Sequence, residues 1–146
     1  MSGEQTALGL DVGARRIGTA RGDSAVKLAS PLAAIGNDAQ VWENLVKIIR
    51  KSGAEIVVVG LPRDAGGAET AQSQFSRSFA QTLREHLAEN NLTAEIIFQD
   101  ESLTSVAAEK ILRARKNFDE KMLRDGTLDS EAAAIILQDF LEGWAR

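Results

Sequence analysis

The run IVVVGLPRDAGG at residues 56–67 decides the fold. Ile56, Val57, Val58 and Val59 are apolar without alternation, the pattern of a strand covered on both faces. The segment after them, rich in glycine and carrying a proline, is a loop. Beyond it Phe75, Phe79, Leu83 and Leu87 recur at every fourth position, which predicts a helix over about residues 68–89 with these rings and leucines on its core side. Residues 95–99, EIIFQ, form another apolar strand. Strand, helix, strand in that order implies a parallel pair joined by a right-handed crossover.

Working outward, residues 7–12 alternate short and large apolar groups up to Asp11, and DVGARRIG at 11–18 turns the chain through glycine into a strand at 17–21, with a third at 25–30 after Gly22 and Asp23. This is a three-stranded antiparallel meander. Asn37 or Asp38 caps a helix in which Val41, Trp42, Leu45, Ile48 and Ile49 keep helical spacing and Gly53 ends the run. Two helices close the chain, at 104–115, capped by Thr104 or Ser105, and at 129–144. The expected architecture is α/β: a mixed five-stranded sheet, meander plus parallel strands, flanked by helices. With 146 residues, two prolines and no internal repeat, it reads as a single domain over 1–146.

Composition narrows the chemistry. The chain has no cysteine and one histidine, His86, so thiolate catalysis, zinc ribbons and paired-imidazole metal sites are excluded. Any metal is held by oxygen. His86 lies off the Leu83 and Leu87 stripe and reads as a surface residue. The start lacks a basic and then apolar leader, and the longest apolar runs, 56–59 and 132–137, fall far below a membrane span; a soluble, cytoplasmic protein is expected.

Net charge is −4, so nucleic acid would have to be met by a local patch. Residues 109–124 hold six Lys and Arg against three Asp and Glu, which is also what a solvated helix face looks like. Aromatic residues are 5% of the chain and tyrosine is absent, which argues against a platform of stacking rings. Phe75, Phe79 and Phe140 read as core.

Three carboxylates stand out. Asp11 ends an apolar strand before a glycine turn, and Glu101, beside Asp100, ends the strand at 96–99. Asp129 shares a helical stripe with Ala133, Ile136 and Phe140, so it is either a helix cap or a ligand. Each has an ordinary explanation as a cap or turn residue. Strand ends and a helix start can nevertheless bring all three together, and converging carboxylates repel unless a cation binds them. Oxygen ligands alone select a hard ion, Mg²⁺ or Mn²⁺.

Four segments, LGLDVGARRIGTARGD at 8–23, VVVGLPRDAGG at 57–67, DESLTS at 100–105 and LDSEAAAIILQDFL at 128–141, resemble the YqgF family in family order across nearly the whole chain. These are RNase H-like proteins described as Holliday junction resolvases and as the pre-16S ribosomal RNA maturation nuclease. The resemblance implies an RNase H-like fold with Asp11, Glu101 and Asp129 as the acidic triad. The family's strand-end motif usually reads DERLTT; Ser102 stands here where it has arginine, so one cation beside the site is lost. Arg16 matches the family.

The chemistry implied is metal-assisted phosphodiester hydrolysis, with Asp11 bridging two ions and Glu101 and Asp129 completing their shells. Arg15, Arg16, Arg63, Lys110 and Arg113 are the candidate phosphate contacts. The substrate expected is precursor 16S rRNA at its 5′ end, with a DNA four-way junction as the alternative, and the protein would act as monomer or homodimer. Asp100 and Asp125 are further acids whose place in the site stays open. Two other readings compete. DVGARRIG resembles the phosphate loop of sugar-kinase and actin-like ATPases, but those close two lobes over the nucleotide and this length supplies one. A non-catalytic RNA-binding ribosome-assembly factor with the same fold is the other.

Overall fold

In the computed structural model, residues 4–144 are described. The strands are β1 (Thr6–Val12), β2 (Arg16–Asp23), β3 (Ser30–Pro31), β4 (Ile35–Gly36), β5 (Ile56–Pro62) and β6 (Glu95–Glu101). The helices are α1 (Val41–Ser52), α2 (Ala71–Glu89), α3 (Thr104–Arg113) and α4 (Thr127–Glu142), with a 3₁₀ turn at Glu120–Leu123.

One sheet runs in the order β3, β2, β1, β5, β6, with β4 also on β2. β1 and β2 are antiparallel, while β1, β5 and β6 are mutually parallel neighbours, so the expected mixed sheet is present. β5 lies inside it and is buried from Ile56 to Leu61, which is why its apolar run does not alternate. Its two faces still serve different cores. Val57 and Val59 pack with Leu45, Ile49 and Leu83 under α1 and α2, whereas Ile56 and Val58 pack with Ala133 and Leu137 of α4.

The third edge of the meander differs from expectation. Residues 25–29 are not a strand, because the Asp23 carboxylate accepts the N–H groups of Ala25 and Val26 and Lys27 takes φ +58. The edge begins at Ser30 instead and is split into β3 and β4, both paired with β2, while the Thr19 hydroxyl donates to the Ala33 carbonyl between them. Pro31 has no N–H for further pairing, as suits an edge.

Helix starts also shift. Neither Asn37 nor Asp38 caps α1: Gln40 holds that position, the Asp38 carboxylate accepts the Gln40 N–H, and the Asn37 amide donates to the Gly13 carbonyl at 2.8 Å. α2 begins at Ala71 behind a reciprocal Thr70 and Ser73 capping box, leaving residues 68 and 69 in the loop. Phe75 is 39% exposed rather than core. A strict four-residue spacing drifts around a helix of 3.6 residues per turn, so the buried stripe runs through Ser76, Phe79, Leu83 and Leu87 instead. His86 is half-buried and stacks on Trp42 at 5.0 Å between ring centres, so it has the partner its sequence context did not suggest.

Candidate active site

The two-residue period of β1 puts Asp11 on the face of Gly9 and Ala7, toward α4. α4 presses close on that face: a Cβ on Gly9 would stand 2.7 Å from the Leu137 Cβ, and one on Gly18 would overlap the Asp129 carbonyl. Gly18 is paired with Asp11 across the β1–β2 ladder. The glycine therefore lets the first turn of α4 settle beside the end of β1, and Asp129 arrives next to Asp11. The cap of α4 is Gly126, at φ +103, so Asp129 is the third helical residue and not a cap. That removes the simplest structural reason for an acid on a buried stripe.

Glu101 is the last residue of β6, paired with Pro62 of β5, and its carbonyl accepts the Arg63 N–H at 2.8 Å. Asp11, Glu101 and Asp129 line one cleft of about 410 Å³ at the carboxyl ends of the parallel strands. Arg63, Gln72, Ser102, Leu103 and Thr104 also line it. Gln72, which the sequence did not single out, fixes the rim by donating to the Val12 carbonyl at 2.8 Å. Thr104, expected as a cap of α3, instead donates its hydroxyl to Glu101 at 2.7 Å, and Leu103 takes the cap position at φ +59.

Burial drives the electrostatics. It pushes the Asp11 carboxyl up to about 6, with Asp129 repulsion adding to it. Burial likewise raises Glu101 to about 7, opposed by the Thr104 hydroxyl and reinforced by the nearby Asp139 carboxylate. Asp129 is raised by burial and held back by the Arg16 guanidinium 3.8 Å away. Asp139 gave no signal in the sequence, because ten residues after Asp129 a helix has turned about 80° off the buried stripe.

The donor set is oxygen only, and its charge is costly to bury, which suits a divalent cation. The side chains are not yet gathered on one point: among the described residues no three acids stand close enough to hold an ion.

The basic residues divide. Arg63 lines the cleft, but Asp100 holds it at 3.0 Å and Glu69 at 3.7 Å. Arg16 reaches the Asp129 carboxylate and the Arg124 carbonyl. Arg15 is exposed on the β1–β2 turn. Lys110 and Arg113 lie on α3 outside the cleft lining, with Arg113 tied to Glu109 at 2.8 Å and Glu120 at 3.4 Å. Of the two acids left open by the sequence, Asp100 accepts from the Arg63 guanidinium and Asp125 accepts the Thr127 N–H and hydroxyl.

A family model described as RuvX, Holliday junction resolvase, matches residues 5–143. A protein of Sulfurihydrogenibium sp. (strain YO3AOP1), named as a candidate pre-16S rRNA nuclease, is 38% identical over 92% of this chain and 88% of its own. One of the same name from Neisseria gonorrhoeae is 35% identical over 94% and 88%. Among solved structures, the fowlpox virus Holliday junction resolvase aligns with TM-score 0.57 at 13% identity over 96% of this chain and 100% of its own. T. thermophilus RuvC in complex with Holliday junction substrate gives 0.52 at 13% over 95% and 94%. At those identities the likeness establishes the fold, the RNase H-like arrangement of RuvC-type resolvases, and nothing finer. With the family model and such relatives each spanning nearly its full length, the chain belongs to the RuvX family, the YqgF family of the sequence motifs.

Proposed function

We propose that the protein is a nuclease that hydrolyses phosphodiester bonds with a divalent cation, Mg²⁺ or Mn²⁺, and that its substrate is precursor 16S rRNA in ribosome biogenesis. The observation that carries this is that Asp11, Glu101 and Asp129 line one cleft, two at the ends of parallel strands and one in the first turn of α4. The relatives' names point to the RNA.

Asp11, Asp129 and Glu101 would hold the cation. When bound, it supplies an activated water for attack on phosphorus and stabilises the departing oxygen. The chain's own residues supply the rest. Burial keeps the acids in a poorly solvated cleft where a cation is preferred to separate charges. Arg16 steadies Asp129, and the Thr104 hydroxyl donates to Glu101 and orients its carboxylate. With no cysteine and its one histidine against Trp42 in α1, the chain offers no competing nucleophile of the thiol or imidazole type in this cleft.

The reading includes action in the cytoplasm, as one domain over 1–146 and as monomer or homodimer. No helix among the described residues is long and apolar enough to cross a membrane. A DNA four-way junction is the second substrate, favoured by the family's description. The test is parallel cleavage of precursor rRNA, unstructured RNA and a four-way junction in Mn²⁺, Mg²⁺ or EDTA, for wild type and Asp11→Asn. Cleavage that needs both metal and Asp11 supports a nuclease and ranks its substrates. A folded protein that binds RNA and cuts none of the three is an assembly factor instead.

A further inference from the structure

A groove larger than the cleft lies elsewhere. It has a volume of about 740 Å³ and runs between α1 and α2, on the face of the sheet opposite α4. Lys47, Arg50 and Lys51 line it, and Glu43 is the one acid among its lining residues. This inverts the sign of a chain whose net charge is −4.

Lys47 and Lys51 are at i and i+4, so they project from one side of α1. Among the described residues neither is ion-paired, whereas Arg63, Arg77, Arg113 and Arg115 are all held by carboxylates. Helix polarity accounts for Arg50 and Lys51 in the last turn of α1, but Lys47 lies before that turn. Arg50 is anchored by donating to the Asn90 carbonyl at 3.0 Å, which fixes it in the wall of the groove.

The rest of the wall includes an aromatic pair. The His86 ring stacks on Trp42 at 5.0 Å and 9° between planes, and Phe79 braces the indole from 4.6 Å. Cations that track a backbone beside a ring that accepts a base form a surface for single-stranded nucleic acid. Low aromatic content rules out a long row of stacked bases, but one ring pair is enough to hold one. The groove also leads to the cleft: Ala39 lines its near end, and two residues earlier the Asn37 amide holds the carbonyl of Gly13, which lines the cleft. The helix between is roughly 18 Å long.

We propose that this groove binds the flank of the RNA strand whose scissile bond lies in the cleft, through Lys47, Lys51 and Arg50 on phosphates and the Trp42–His86 pair on a base. The proposal rests on the nuclease reading. A long substrate is then held at two places and a short one at the cleft alone.

The test measures binding of labelled single-stranded RNA in EDTA, and cleavage in Mn²⁺, for wild type and the double variant Lys47→Glu/Lys51→Glu. One RNA spans only the cleft; the other is long enough to follow α1. The charge reversal should weaken binding of the long RNA about ten-fold, and lower the slope of log affinity against log salt by about 1.4, since a single strand contributes about 0.7 for each phosphate neutralised. Cleavage of the short RNA and the thermal midpoint should not change. Lys47→Arg/Lys51→Arg should bind as wild type, and His86→Ala should lose about five-fold on the long RNA through stacking. If the reversal alters stability, Lys47→Gln/Lys51→Gln carries the same expectation with a smaller loss.

Long-RNA affinity within two-fold of wild type, with an unchanged salt slope, overturns the proposal and leaves the groove to a protein partner or to solvent. Wild type that cleaves RNA while the reversal binds normally refutes the groove alone. Wild type that neither binds nor cleaves RNA refutes the nuclease reading as well.

Discussion

Gly18 and Asp129 meet backbone to backbone: there is no room between the β2 glycine and the Asp129 carbonyl for a single carbon. Because Gly18 is also the cross-strand partner of Asp11, one missing side chain sets how closely two of the three candidate acids approach. The Ser130 hydroxyl reinforces the seat by accepting the buried Thr19 N–H at 3.2 Å.

Gly18→Ala should therefore act on both stability and chemistry. Overpacking at a backbone contact costs about 1–3 kcal/mol, and here the yielding element is the first turn of α4. Urea unfolding should show that loss, and metal-dependent cleavage should fall further than the folded fraction does. Activity that tracks the folded fraction alone would mean Asp129 needs no such placement.

Asp11→Asn tests the burial of charge. The folded Asp11 pKa of about 6 lies above its ordinary value of 3.8, so the native chain binds more protons than the unfolded one between those limits. Stability is then complete at low pH and declines as pH rises through 6. The amide should abolish cleavage and yet stabilise the fold by about 1–2 kcal/mol at alkaline pH, with the gain vanishing near pH 4. Unfolding midpoints across that range are the measurement; a loss of stability at every pH would make Asp11 a structural residue.

Much of this was legible in the chain. The unbroken apolar run at 56–59 marked the strand inside the sheet, and Asp11, Glu101 and Asp129 stood out because each interrupted an apolar pattern. What stayed hidden depends on contacts across the fold. Arg63 reads as a candidate phosphate contact, and only the structure brings Asp100 and Glu69 against it. Asp139 is an ordinary helix-surface acid until β6 carries Glu101 to it. The Asp23 side chain, by capturing two N–H groups, overrode the strand preference of Val26 and Leu28.

Metal should stabilise the wild type through these acids. Added Mn²⁺ or Mg²⁺ should raise the thermal midpoint in a concentration-dependent way, because a ligand of the native state alone stabilises it by mass action. Asp11→Asn and Asp129→Asn should show little of this, and EDTA should return the wild type to its starting midpoint. An equal rise in wild type and both variants would place the cation elsewhere.

Glu101 gives opposite shifts from its two neighbours. Thr104 favours its charged form and Asp139 opposes it, around a pKa of about 7. Metal ligands must be deprotonated, so cleavage should rise with pH through that region. Thr104→Val should move the rise to higher pH and Asp139→Asn to lower pH, each by a fraction of a unit up to about one. Profiles that coincide for all three proteins would show that Glu101 does not titrate in the active enzyme.

Ser102 offers the most direct gain of function. It lines the cleft beside Glu101, where the one arginine present, Arg63, is neutralised by Asp100 at 3.0 Å. A phosphate entering there meets three acids and no unpaired cation in the lining. Ser102→Arg restores the residue usual in the family and should lower KM several-fold, leave kcat near wild type, and steepen the salt dependence of binding by about 0.7 for one added phosphate contact. A fall in KM without the steeper salt dependence would mean that the new side chain packs against the substrate instead of pairing with it. No change in either would shift the burden of phosphate recognition to Arg16 and to the groove along α1.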